Sequence, residues 1–256
     1  MTVPCGFCGQ RGKIDNEHVW ADWISRALAP MKMRIEFGRN EKVRTWTGDA
    51  INMTVRAFCQ SCNSGWMSEL EAATKPTLSP MLKGVPKVLG TTDERLLATW
   101  VMKTAMVAEY FNADRKYFTP QERYGVMKTL TPPPSVRIWL AHYIGKQKAH
   151  NVSDHLRFPR ASDGALVPAF CSTLTAGQFA FQVFSYRWAL AESHTFNVRA
   201  APWYTTGRWE STTLLPLWPV VRDVALIWPP RHPITDWSLP VLCKRFVVAL
   251  KPPGIS

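Results

Sequence analysis

Two Cys-x-x-Cys pairs, Cys5/Cys8 and Cys59/Cys62, with 50 residues between them, constrain this chain more than any other feature. Each pair offers two thiolates from one tight turn, and two such pairs form the donor set of a tetrahedral Zn²⁺ site. Gly6 and Gly9 surround the first pair, and Ser61 and Ser64 the second; tight turns tolerate all four. The interval exceeds that of a minimal zinc ribbon, so the metal is expected to close a long insertion. Disulfides are the weaker reading. The opening residues have no basic stretch followed by an apolar one, and a chain kept in reducing cytoplasm uses such cysteines for zinc. A redox pair is also disfavoured, because no βαβ pattern surrounds either turn. Cys171 and Cys243 lie in apolar, strand-like runs and are expected to be buried thiols.

Periodicity then divides the chain. Residues 17–29 place apolar side chains at 20, 23, 24, 27 and 28, which predicts a helix stopped by Pro30. Residues 33–58 read as two or three short strands, with Gly38-Arg39-Asn40 and Gly48-Asp49 as turns. A helix is expected to open near Ser64 and bury Trp66, Met67, Leu70 and Ala73 before Pro76. Thr91-Thr92-Asp93-Glu94 offers a capping box to a longer helix with 96, 97, 100, 101, 104, 108 and 111 on one face. Thr119-Pro120-Gln121-Glu122 is a second capping signature, for a helix closing before Pro132. Beyond that the runs 135–145, 165–174, 178–192, 214–228 and 241–250 are rich in Val, Phe, Tyr and Trp, as in an antiparallel sheet. The expected class is α+β: a zinc-stabilised module over 1–80, a helical segment over 81–131, and a mainly β part over 132–256.

Thirty-one Lys+Arg against 19 Asp+Glu give a net charge of +12, which points to a polyanionic partner. Residues 1–80 carry only +2 of it and residues 81–256 carry +10. If the partner is nucleic acid, the C-terminal part supplies most of the attraction while the zinc module carries something else. A solubilising basic surface is the bland alternative. No apolar stretch approaches the roughly 18 residues of a membrane-spanning helix, so a cytoplasmic protein is expected.

Between the zinc pairs, Glu17-His18 and Asn63 stand out. Zinc fixes the start of the helix after Cys62, and so Asn63, against the segment carrying Glu17 and His18. Such a set has what phosphodiester hydrolysis needs: a histidine base, oxygen ligands for a hard divalent cation, and a helix N-terminus facing phosphate. Cys5-Gly6-Phe7-Cys8, Asn16-Glu17-His18-Val19-Trp20 and Cys59-Gln60-Ser61-Cys62-Asn63-Ser64-Gly65-Trp66-Met67 together resemble the HNH endonucleases of the His-Me finger (ββα-metal) superfamily, in its zinc-bearing branch. Ala98-Thr99-Trp100-Val101-Met102-Lys103-Thr104-Ala105 is similar to a helix that follows this module in bacterial and phage HNH proteins. The catalytic likeness covers about residues 5–72, and the looser one reaches about residue 111.

The resemblance implies a ββα-metal fold for the N-terminal module and His18 as the general base activating water. It implies Glu17 and Asn63 as holders of one catalytic Mg²⁺ or Mn²⁺. Cys5, Cys8, Cys59 and Cys62 would hold structural Zn²⁺, with DNA as substrate, in a bacterial cell or phage-infected host. The acid here is Glu17 where the branch's junction-resolving members carry Asp, and the central Asn of the HNH name has only Asn52 as a candidate, by position. Plainer roles are available to each residue. His18 would be a buried helix histidine, Asn63 a helix N-cap, and Glu17 a first-turn acid favoured by the helix dipole. Glu69 and Glu71 read as solvated helix acids, with one of them backing the metal ligands as the lesser alternative; Trp66 and Trp100 read as core, and His142, His150 and His155 fit no metal motif. Without catalysis, the same features describe a zinc-stabilised nucleic-acid-binding protein or a phage–host interaction protein.

Overall fold

A computed structural model of the chain describes residues 3–28, 32–39, 42–49, 52–111, 116–146, 149–159, 165–187, 212–220, 225–239 and 242. Helices and antiparallel sheets are mixed, as the α+β class requires. Strand β1 (Ile14–His18) precedes a short helix α1 (Asp22–Ala27), and β2 (Lys32–Arg39), β3 (Lys42–Asp49) and β4 (Thr54–Cys59) follow. β2 pairs with β3, whereas β4 returns past that hairpin to pair with β1. Glu17 and His18 therefore end a strand rather than open a helix. The apolar period does make a helix, but the ladder to 54–59 claims the first residues of the expected span. Gly38, Arg39, Gly48 and Asp49, read as turns, are the closing residues of β2 and β3.

After β4 the chain turns at once into α2 (Gln60–Cys62), passes a wide turn at Asn63–Met67 kinked at Gly65, and continues as α3 (Ser68–Met81). The helix thus opens four residues before Ser64 and runs through both Pro76 and Pro80. Proline deletes the N–H that would bond the carbonyl four residues back. Here those carbonyls belong to the exposed Ala72 and Pro76, where water can satisfy them. Leu70, Thr74, Thr77, Leu78 and Met81 carry the buried stripe past the prolines, while Ala73 faces outward.

The short β5 (Lys87–Leu89) leads to the long α4 (Thr91–Ala108), and a tight helical turn, Glu109–Phe111, ends it. Gly90 precedes α4 without any side-chain cap, so the expected box at 91–94 does not form. The box before α5 (Pro120–Thr129) does: Thr119 Oγ1 accepts from the Glu122 N–H at 3.2 Å and the Thr119 N–H donates to Glu122 Oε2 at 2.7 Å. Thr119→Ala should cost about 1 kcal/mol, read as a lower urea midpoint with unchanged slope. An unshifted midpoint would deny the cap any role in stability.

Strands β6 (Val136–His142), β7 (Ala149–Pro159), β8 (Leu166–Ala176), β9 (Phe179–Tyr186) and β10 (Leu214–Trp218) form one antiparallel sheet in the order β10-β6-β9-β8-β7. β11 (Leu226–Trp228) pairs with β5 instead. β7 was not among the expected strands, and the run 241–250 lies outside the described residues apart from Leu242.

α4 sits between α3 and the sheet, touching β9 and β10. Every residue from Leu97 to Ala108 is buried, so the helix has no solvent face there and the expected one-sided stripe is exceeded. Trp100 packs on Trp20 at 6.0 Å and edge-on to Phe181 at 6.3 Å, a core role as expected. One cluster of buried residues runs from Cys5 to Trp228, so the N-terminal module, the helices and the sheet share a core. Charged residues are built in as well. Arg123 pairs with Glu109, donates to the Met106 carbonyl at 2.9 Å, and lies over the Tyr110 ring at 4.8 Å.

Candidate metal centre and adjoining cleft

The first cysteine turn closes on its own backbone. The Cys5 N–H donates to the Gln10 carbonyl at 2.9 Å and the Gly9 N–H to the Cys5 carbonyl at 3.0 Å, with Gly9 at φ +71°. A side chain would be strained at that angle, which glycine adopts freely. Gly6 has a different reason: an added Cβ would collide with the Tyr110 hydroxyl and come within 2.9 Å of Phe58. The second pair straddles the end of β4 and the first turn of α2. Backbone bonds from Gly6 N to Ala57 O (2.8 Å) and from Gln60 N to Lys13 O (2.9 Å) hold the two turns face to face.

All four Sγ atoms lie within 4.8 Å of one another, and Cys8 and Cys59 are 3.7 Å apart. That is far beyond the roughly 2.05 Å of a disulfide. It matches the sulfur–sulfur edge of about 3.8 Å that a tetrahedron with Zn–S near 2.3 Å requires. The Cys59 N–H donates to Cys5 Sγ at 3.3 Å, and Ser61 Oγ lies 3.1 Å from Cys59 Sγ. Burial raises the Cys59 thiol, but its bonds from Ser61, the Cys62 backbone and neighbouring thiols prevail and bring it down to about 6. Cys62 moves the opposite way, pushed well up by burial and by the charge of Cys5. Four thiolates this close repel unless a cation sits among them. The donor set, spacing and N–H···S bonds fit a metal such as zinc, and Met127 Sδ, 3.9 Å from Cys62 Sγ, closes one side. Cys171 is buried as expected, while Cys243 lies outside the described residues.

Next to this cluster is an open cleft of about 350 Å³, lined among others by Asp15, Glu17, His18, Asp22, Asn63 and Glu71. Glu17, His18 and Asn63, singled out from the sequence, thus meet on one surface. β1 supplies the first two, with a bulge between Asp15 and Glu17 in its ladder to β4; bulges re-aim side chains near sites. Glu17 is buried, and His18 and Asn63 are half-buried. Asn63 is not an N-cap: it sits inside the helical run, and its Nδ2 donates across to the Asn16 carbonyl at 3.2 Å. That bond ties the segment after Cys62 to β1. Asn52 is exposed and outside the cleft lining.

Beneath the cleft, Lys103 of α4 reaches up from the core. Its Nζ, wholly buried, lies 3.2 Å from Glu17 Oε1 and 2.7 Å from Glu71 Oε1. Burial presses the ammonium toward neutrality, but the Glu71 and Glu17 carboxylates outweigh it and hold its pKa above the ordinary lysine value. Burial raises the Glu17 carboxyl; Lys103 draws it down and Glu71 pushes it up. Glu71, expected to be a solvated helix acid, is instead the second arm of this trio; Glu69 is exposed as expected. Lys103 is the residue that sequence reasoning missed, and Glu71 had there only the lesser alternative of supporting the site. The available signal was a lysine in a helix otherwise apolar or small from 97 to 108.

Asp15, Glu17, Asp22 and Glu71 make the cleft acidic on a chain of net +12. Among the described residues, the four cysteines are the sole group of His, Cys and acidic side chains converging tightly enough to hold a metal by themselves. His142 bonds to Gln178 at 2.8 Å and the His155 ring lies against Phe170, so neither takes part. Comparison with models of protein families, with curated proteins and with solved structures finds nothing that matches the chain.

Proposed function

We propose that this chain is a metal-dependent endonuclease that hydrolyses DNA phosphodiester bonds. The observation that carries the reading is the meeting of Glu17, His18 and Asn63 on one cleft beside a four-cysteine cluster. β1, β4 and the helix from Gln60 then correspond to the ββα-metal unit of the HNH endonucleases, with the β2–β3 hairpin inserted between its strands. The cysteines hold structural Zn²⁺ away from the chemistry.

In this reading His18 accepts a proton from water while the water oxygen bonds to phosphorus. The bond from phosphorus to the 3′ oxygen breaks, and that oxygen takes a proton from solvent. Glu17 and Asn63 would hold the divalent cation. Asn63 spends its Nδ2 on Asn16, which leaves Oδ1 as its ligand atom. Bound Mg²⁺ or Mn²⁺ supplies charge neutralisation at the scissile phosphate and at the leaving oxygen. The acidic cleft draws the cation, and the basic remainder of the chain draws the DNA.

The test is incubation of zinc-loaded protein with supercoiled plasmid in Mg²⁺, in Mn²⁺ and in metal-free buffer. Nicked or linear product is expected only with the divalent cation. Affinity for a duplex should fall at least about tenfold between 50 and 200 mM salt, which two neutralised phosphates already suffice to produce. Affinity flat across that range, without cleavage, would favour a protein-binding role.

A further inference from the structure

We propose that Lys103 and Glu71 are positioning residues of the cleft: the Lys103 ammonium fixes the Glu17 carboxylate through one oxygen, and Glu71 balances the ammonium. The inference rests on Glu17 being a ligand of the divalent cation, as proposed above, and extends the site to two residues on different helices. Glu17 reaches Lys103 through Oε1 and still lines the cleft, so Oε2 is the oxygen left for a cation. Rotamer freedom in such a carboxylate would blur the ligand. A charge-assisted bond from a side chain with no freedom of its own removes it. Lys103 has none, because Nζ is wholly buried and α4 is packed on all sides.

An ammonium paired with Glu17 alone would cancel its charge and oppose a cation. Glu71, at 2.7 Å, is nearer to Nζ than Glu17 is and takes up that charge. The trio keeps one net negative charge, and Glu17 remains a ligand. A stabilising role explains the arrangement poorly, since buried ion pairs seldom outdo apolar residues of the same size. Methionine would fill the Lys103 position in a helix whose neighbours include Met102 and Met106.

The experiment titrates Mn²⁺ calorimetrically into full-length, zinc-loaded protein without DNA, with zinc content and melting temperature checked for each variant. Lys103→Met combined with Glu71→Gln keeps the net charge of the trio, so a change in Mn²⁺ affinity reports the lost positioning. The dissociation constant should rise about 10- to 100-fold, the usual effect of removing a partner that orients a metal ligand. An unchanged constant in folded double variant overturns the proposal. Glu17→Gln separates the two levels: it should weaken Mn²⁺ binding more than the double variant does, and if binding persists at the wild-type constant, the metal-ligand reading itself falls. Should the double variant not fold, Glu71→Gln alone replaces a partly exposed side chain and hands the whole ammonium to Glu17. Mn²⁺ binding should then weaken at least about tenfold, and an unaltered constant again overturns the proposal.

Discussion

Stripping the metal from Cys5, Cys8, Cys59 and Cys62 should unfold the N-terminal module. Metal analysis should find one zinc per chain. A strong chelator should lower the melting temperature by at least about 10 °C, at the 2–4 °C per kcal/mol expected for a domain of this size. The reason is the thinness of what else holds the first turn. Apart from a few backbone bonds, the segment around Cys5 is anchored by Phe7, stacked on Phe58 at 4.9 Å and edge-on to Trp66 at 4.9 Å. Structural zinc contributes roughly 10–16 kcal/mol in small sites, against a total stability of about 5–15 kcal/mol for a typical domain. Without the cation, the crowded thiols must protonate or move apart. Cys62→Ser should act as the chelator does, since Cys62 begins the segment carrying Asn63. Soluble, metal-free protein melting at the holo temperature would remove the cysteine cluster as a structural element.

How much of this was legible beforehand follows from the range of each interaction. The cysteine cluster was readable because each half is local: a pair in one turn needs no knowledge of the rest. The capping box at Thr119 was readable for the same reason, and the one expected at 91–94 failed because Gly90 already serves the helix start. Glu17 and His18 were assigned to a helix because their strand character is imposed by β4, some 40 residues away. β7 was missed because, among the described residues, it is an edge strand paired with β8 alone, and it carries polar residues such as His150, Asn151 and Arg157. Edge strands need no apolar alternation on both faces, and charges there deter aggregation. Lys103 shows the limit most sharply. Its partners lie 86 and 32 positions away in the chain, and a lysine in an apolar helix discloses its burial but not its partners.

Replacing His18 should separate chemistry from binding. His18→Ala is expected to slow plasmid cleavage by a factor on the order of 10² to 10⁴, the range lost with a positioned general base. Affinity for DNA should scarcely change, because an imidazole facing water contributes little to phosphate contacts. Zinc content should hold too, since His18 ends β1 against Thr54 and offers no ligand to the cysteine cluster. Glu17→Ala should act differently. It removes a proposed cation ligand and leaves the buried Lys103 with Glu71 alone, so activity should fall and recover in part as Mg²⁺ or Mn²⁺ is raised. Asn63→Asp keeps an oxygen ligand but loses the amide that donates to the Asn16 carbonyl at 3.2 Å. It should therefore retain less activity than wild type and more than Asn63→Ala. Since Asn63 is no N-cap, its loss from turnover cannot be assigned to a melted helix start, and zinc content checks the neighbouring turn. Cleavage by His18→Ala at the wild-type rate, with zinc intact, would move the chemistry away from this cleft.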